Sequence, residues 1–338
     1  MSQNKSGCLP STLTVALIIS VILNVAFFAG RSVRAVRSTM QPASASPFTE
    51  DMIAPPTGDN NGKKIAVLSL RGIISTAEPG NVAESGLDDL IVELKQARED
   101  NAVAAIILRI DSPGGEVTAS DMLYQEVIKT RNIKPVVVSM DAVAASGGYY
   151  VACAGSYLFA HETSITGSIG VIMQSINYQK VLDKVGVEVL TFKSGAFKDL
   201  LNGARELTEA EREYVQGLID QSYSRFVGIV AKERHLEESE LRAGVADGRI
   251  VSGSDALKER LIDGIGGFDQ ALEKARELGK APGAGAVRYT VPLAFGKLFR
   301  MLSETPVKGA KVEVDLGGKL SSRLKTGRLY FVSPVLAP

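Results

Sequence analysis

Residues 102–110 read AVAAIILRI, apolar at every position except Arg109, and run directly into Asp-Ser-Pro-Gly-Gly. A strand that is apolar at consecutive rather than alternate positions has to be covered on both faces. A run of this length bounded by a Pro-Gly-Gly turn fits a buried strand better than a helix. Two further segments have the same character: KIAVLSLRGII from Lys64, and PVVVSM at 135–140. The intervening residues carry helical spacing. Leu87, Leu90, Ile91 and Leu94 fall at i, i+3, i+4 and i+7, and a second helix is expected over 117–130. A helix of small residues is expected over 144–154 and a long helix over 208–234, with further short strands in SYLFA, GVIMQS and VEVLTF (187–192). This alternation predicts an α/β fold whose sheet is buried on both sides. With 338 residues, 45% of them hydrophobic, the chain can bury one large core or two small ones.

The ends of the chain read differently. Residues 13–29 (LTVALIISVILNVAFFA) carry no charge, and with Ser11 and Thr12 they approach the ~20 residues that span a bilayer core. A cleaved signal peptide is the alternative, but its charged n-region would be Lys5 alone and no A-x-A site follows. The division expected is a short N-terminal segment at 1–12, a transmembrane anchor at 13–30 and a flexible linker at 31–63. A folded domain follows at 64–290, and a C-terminal helix (LAFGKLFRML) and extended tail (RLYFV) at 291–338. The linker expectation rests on the Ser, Ala, Pro, Asn and Gly content of 38–63. Arg31, Arg34 and Arg37 follow the span while Lys5 precedes it, so the positive-inside rule alone would leave the bulk of the chain in the cytoplasm.

Several function classes are set aside at this level. Lys+Arg and Asp+Glu balance at 38 each and there is no Trp, which argues against a nucleic-acid partner. Cys8 and Cys153 are far apart, so no disulfide framework organises the fold. Neither has a CxxC or zinc-ligand neighbour; no metal or other cofactor is expected, and Cys153 reads as a small buried hydrophobe.

Four segments can carry chemistry. In DAVAASGGYYVACAG (141–155), Ser146 stands between a strand and a helix, where unpaired N–H groups and the helix dipole favour a developing negative charge. Gly147 lets the backbone approach a substrate; the plain alternative is close helix packing with Ser146 as an N-cap. In DSPGGEV (111–117) a Gly N–H can enter the same cleft, and two N–H donors from separate strand ends make an oxyanion hole. A general base is less obvious. His161 and His235 are the two histidines, and neither has an acidic orienter in its sequence context. Lys193 and Lys198, in TFKSGAFKDLLNG, offer a Ser–Lys pair instead, provided burial makes the amine neutral; an exposed loop lysine is the alternative. Thr166 and Ser168, in SITGSIGV, can orient such an amine or merely form a turn. The apolar C-terminal segment GRLYFVSPVLAP can lie in a groove of its own or a neighbouring subunit as a substrate-like tail.

DSPGGEV, MDAVAASGGYYVACAG, TSITGSIGVIMQSINY, TFKSGAFKDLL and ADGRIVSGSDALKERLIDGIGGFDQAL, ordered over residues 64–275, resemble the signal peptide peptidase A family of bacterial membrane-bound Ser–Lys peptidases, in its short form. The resemblance implies a Clp-protease/crotonase-like α/β superfold. It implies Ser146 as nucleophile, Lys198 as general base, Ser168 as the hydroxyl orienting the lysine, and the Gly115 and Gly147 amides as oxyanion donors. It further implies a homo-oligomeric ring, an octamer, with each dyad shared between subunits. The chain would be a single-pass protein of the inner (plasma) membrane, its catalytic domain on the extracytoplasmic side. It would degrade cleaved signal peptides and other apolar segments, and small apolar side chains before the scissile bond would suit it. Two alternatives stand beside this: a crotonase-like acyl-CoA enzyme, which the same superfold hosts, and an inactive membrane scaffold.

Overall fold

The computed structural model describes residues 48–58, 60–76, 86–290 and 329–332. The expected anchor at 13–30 and the expected helix LAFGKLFRML lie outside the described residues. Among the described residues no helix is long and apolar enough to cross a membrane.

The apolar runs form the centre of a nine-stranded mixed sheet. In chain order the strands are β1 (Thr49–Ala54), β2 (Lys64–Arg71), β3 (Val103–Ser112), β4 (Gly114–Glu116), β5 (Val136–Ala145), β6 (Tyr157–Ala160), β7 (Ile165–Gly167), β8 (Ile250–Ser252), β9 (Gly264–Ile265), β10 (Gly285–Thr290) and β11 (Tyr330–Val332). The helices are α1 (Gly86–Glu99), α2 (Val117–Arg131), α3 (Gly147–Ala152), α4 (Gln179–Val185), α5 (Glu209–Arg234), α6 (Glu238–Ala243), α7 (Gly253–Lys258) and α8 (Phe268–Leu278). The large sheet runs β1-β10-β2-β3-β5-β6-β9, with β7 on the far end of β5 and β8 on β7; β4 pairs with β11 in a separate two-stranded ribbon. The pairs β10–β2, β2–β3, β3–β5, β5–β6, β6–β9 and β5–β7 are parallel.

The continuous apolarity of β3 is explained by what covers it. Its period of two sends Ile106, Leu108 and Ile110 into one core cluster, with Leu90 and Leu94 of α1, Leu123 and Val127 of α2, and Phe226 and Val230 of α5. Ala105 and Ile107 face the other way, into a second cluster with Ala271, Leu272 and Ala275 of α8. Burying one such Ile or Leu contributes about 1.5–3 kcal/mol, so both faces stabilise the sheet.

Four elements depart from expectation. Inside the expected linker, Thr49–Ala54 pairs antiparallel with β10 and forms the edge of the sheet. β5 runs on to Ala145, so the small-residue helix starts at Gly147 rather than at 144. The strand near GVIMQS is instead Ile165–Gly167, held by Val143, Ala144 and Ala145. No strand forms at 187–192, where the side chains are exposed and no sheet edge lies alongside.

Candidate active site

The carboxyl ends of β3 and β5 lie side by side, with Ser112 registered against Ala144. Ser146 follows β5 at φ 54°, ψ −115°. N-cap residues adopt the β region and their side chain accepts from the next turn. Ser146 does neither: it makes no side-chain cap bond. A non-Gly residue held there costs of order 1–3 kcal/mol, and such strain is found where a side chain must be presented sharply, as in a nucleophile elbow. The conformation is locked from β7, since the Ser146 N–H donates to Gly167 O at 2.8 Å. Ser146 is 1% exposed, and its hydroxyl has no hydrogen-bond partner among the described residues.

The PGG turn stands against this corner. Ile74 N–H donates to Gly114 O (2.9 Å) and Glu116 N–H to Ile74 O (2.7 Å). These bonds use the groups of β4 that face Ile74, and the Gly115 N–H therefore points to the opposite side. A Cβ on Gly114 would stand 2.6 Å from the Gly147 nitrogen, and one on Gly147 would stand 3.1 Å from the Gly115 nitrogen. The backbone nitrogens of Gly115 and Gly147, one from each strand end, therefore lie close together.

An extended segment already lies in this cleft. Tyr330–Val332 pairs antiparallel with β4, with Phe331 opposite Gly115. Val117 N–H donates to Leu329 O, and the alternation of an antiparallel ladder makes Gly115–Phe331, two residues on, a hydrogen-bonded pair as well. On its other side Tyr330 exchanges both main-chain bonds with Ile172, at 3.0 and 3.1 Å. The Phe331 carbonyl oxygen would be 1.9 Å from a Cβ on Gly114 and 3.0 Å from one on Gly147, so it lies beside both glycines.

Ser168 stands beside Ser146: Ala145 is registered against Gly167, and Ser168 is the next residue on, at φ 51° and buried. Its hydroxyl has no partner among the described residues, whereas Thr166 donates its hydroxyl to Ala144 O at 2.6 Å and is not free to orient an amine. Lys198 is not brought to Ser146 within the chain. It lies in an exposed arm, residues 172–207, that leaves the body after β7 and returns at α5. The two lysines of the arm differ: Lys193 is bound to Asp199 at 2.6 Å and to Ala196 O, while Lys198 Nζ has no hydrogen bond or ion pair among the described residues. Arg205 bridges Asp199 and Glu211, holding both carboxyls low, Glu211 at about 2, and tying the arm to the capping box of α5. His161 packs its ring by Gly267, and His235 caps α5; neither is bonded to Ser146.

Sequence reasoning missed Ser120. It is fully buried on α2, its hydroxyl has no partner among the described residues, and a Cβ on Gly147 would stand 2.5 Å from it. No pattern marks it; only the packing of α2 against α3 does. Cys153 is buried at the end of α3, and burial pushes its thiol up to about 12, which leaves it inert. Among the described residues no group of His, Cys, Asp or Glu is arranged to hold a metal.

Comparison with known proteins bears on this geometry. The profile of peptidase family S49 matches residues 128–281, and that of Clp protease matches residues 63–169, which hold β2 to β7 and so place the mixed sheet in a Clp protease-like α/β fold. The "Putative signal peptide peptidase SppA" of Enterococcus faecium is 34% identical over 233 residues, 68% of this chain and 67% of that protein. A Synechocystis protein named as a protease is 37% identical over 216 residues, 64% of this chain and 74% of that one. Protease 4 of Haemophilus influenzae is 36% identical over 226 residues, which take in 65% of this chain and 35% of that protein. The chain therefore belongs to peptidase family S49 and is a serine-type peptidase.

Proposed function

We propose that the chain is a membrane-anchored endopeptidase in which Ser146 is the nucleophile and Lys198 the general base, shared between neighbouring copies. Ser146 Oγ attacks the carbonyl of an extended peptide and passes its proton to Lys198 Nζ, aimed by Ser168. The Gly115 and Gly147 amides receive the oxyanion. Lys198 then protonates the leaving amine, and water resolves the acyl-enzyme. The observation that carries the reading is the seating of Phe331: an extended segment runs along β4, paired with Gly115 and with its carbonyl beside Gly147, next to a serine that is strained and has no side-chain partner among the described residues.

Lys198 is preferred over Lys193 because Asp199 already neutralises Lys193. Its separation from Ser146 is accounted for by a homo-oligomeric ring, an octamer, in which the arm of one subunit reaches the cleft of the next. Exposed Ile176, Val181, Val185, Leu190 and Phe192 on the arm suit burial against another copy. The apolar run at 13–29 and the name of the Enterococcus relative support substrates among cleaved signal peptides and other apolar segments, degraded at the plasma membrane on its extracytoplasmic side. A fluorophosphonate should label the full chain at Ser146, and Ser146→Ala should abolish both labelling and turnover of an apolar peptide ester. Turnover retained in Ser146→Ala would remove the serine from the mechanism.

A further inference from the structure

Ser120 lies in the first turn of α2, directly after the PGG turn. A serine inside a helix has a local partner at hand, the carbonyl four residues earlier. Thr130, on the same helix, uses it, donating to Glu126 O at 2.9 Å, and Ser222 of α5 donates to Leu218 O at 3.0 Å. Ser120 does not: its hydroxyl is fully buried and has no partner among the described residues. A buried hydroxyl left unpaired destabilises the fold that contains it, and an alanine at this place would carry no such cost.

The hydroxyl faces the space beside the nucleophile's neighbour. A Cβ on Gly147 would stand 2.5 Å from Ser120 Oγ, 3.0 Å from the Phe331 carbonyl oxygen and 3.1 Å from the Gly115 nitrogen. One space, open because Gly147 has no side chain, is thus bordered by a hydroxyl, an amide nitrogen and the carbonyl oxygen of an extended segment. The hydroxyl is not bonded to that oxygen, so it does nothing to hold a planar carbonyl. When Ser146 Oγ bonds to a substrate carbonyl carbon, the carbon becomes tetrahedral and the π electrons pass to its oxygen, while the serine proton passes to Lys198 Nζ. The oxygen then leaves the place it held in the plane. A donor set for the displaced, charged oxygen stabilises the transition state without tightening substrate binding, which is the condition for raising kcat. We propose that Ser120 Oγ is such a donor, a third member of the oxyanion site beside the Gly115 and Gly147 amides. It donates a hydrogen bond and keeps its proton throughout. This deepens the peptidase reading of Ser146 and rests on it.

The test compares Ser120→Ala and Ser120→Cys with the unaltered full chain, in detergent, on an apolar peptide ester. Both variants remove the strong donor, and the thiol keeps most of the volume. In each, kcat should fall about tenfold to a hundredfold, the loss of one hydrogen bond to a charged group, with KM held within about twofold. The Tm of Ser120→Ala should hold or rise, because the orphaned hydroxyl is gone; a serine kept only for packing would lower Tm and leave kcat alone. A peptide aldehyde, whose adduct on Ser146 carries a tetrahedral oxygen, should bind Ser120→Ala more weakly by the same factor as kcat falls. If Ser120→Ala does not fold, Ser120→Cys decides by the same kcat criterion. Wild-type kcat in a folded variant whose Ser146 is still labelled by a fluorophosphonate would overturn the role of Ser120 and leave the peptidase reading intact. Absence of labelling together with no turnover in the unaltered chain would take both down.

Discussion

At the scale of single residues, the site depends on Gly114 and Gly115, whose missing side chains are filled by backbone. A Cβ on Gly115 would fall 1.8 Å from Ile74 O, an atom with no freedom to turn aside because the bonds to Gly114 and Glu116 fix it. Gly115→Ala must therefore shift β4 and carry its N–H out of line. Loss of one oxyanion donor lowers kcat by about 10²–10³, and that is the expected loss on an apolar peptide ester, with the far-ultraviolet spectrum unchanged. Gly217, on α5, is the control: nothing lies within 4 Å of its Cβ position, and Gly217→Ala should leave kcat alone and raise Tm slightly. If Gly115→Ala kept wild-type kcat, its amide would not be an oxyanion donor. Ser146 itself illustrates how such a site holds strain. Its φ of 54° is enforced by the Gly167 carbonyl on one side and the start of α3 on the other, neither of which the serine side chain helps to make.

Among the elements, α1 carries the clearest pH signature. Burial on the side packed against the sheet raises the Glu93 carboxyl from 4.5 to about 7, and Asp89, one turn earlier, adds repulsion. The folded chain thus holds a proton that the unfolded chain releases first, so this group favours folding at low pH. That contribution fades as pH rises from about 4.5 through 7. Glu93→Gln should raise Tm by about 2–4 °C at pH 8 and change it little at pH 4, measured by calorimetry; an equal shift at both pH values would mean the carboxyl is not protonated in the fold. Elements also mark where the sequence was legible. β2, β3, α1, α2 and α5 could be read because their apolar spacing matches the faces they bury. Thr49–Ala54 could not, because an edge strand with exposed side chains carries no such pattern. VEVLTF has strand-like composition but no pairing neighbour among the described residues, and composition without a partner makes no strand. The two glycine turns were legible as a pair, since each closes an apolar run. The aromatic cluster of Tyr150, Phe226 and Phe331 was not, since its rings meet only after three distant segments pack.

At the scale of the whole molecule, the arm at 172–207 is the part that the single chain leaves unexplained. Phe192 is 94% exposed and Leu190 71%, and Arg205, joined to Asp199 and Glu211, pins the arm's return to α5. An apolar surface of this kind, held out by a specific ion-pair anchor, is suited to a neighbour of the same sequence. If that neighbour supplies Ser146, then Ser146→Ala and Lys198→Ala each abolish turnover in a different partner of every site. A subunit with Lys198→Ala still offers its serine, and one with Ser146→Ala still offers its lysine. In a ring assembled at random from equal amounts, a working site needs an intact serine from one position and an intact lysine from the next. The two choices are independent, so about a quarter of sites should be complete. The mixture should then recover about a quarter of wild-type activity while each variant alone stays inactive. Recovery should require exchange: mixing pre-assembled rings without dissociation should give none until subunits redistribute. A dyad formed within one chain predicts the opposite, no activity at any mixing ratio after exchange has been confirmed by mass spectrometry of the assemblies.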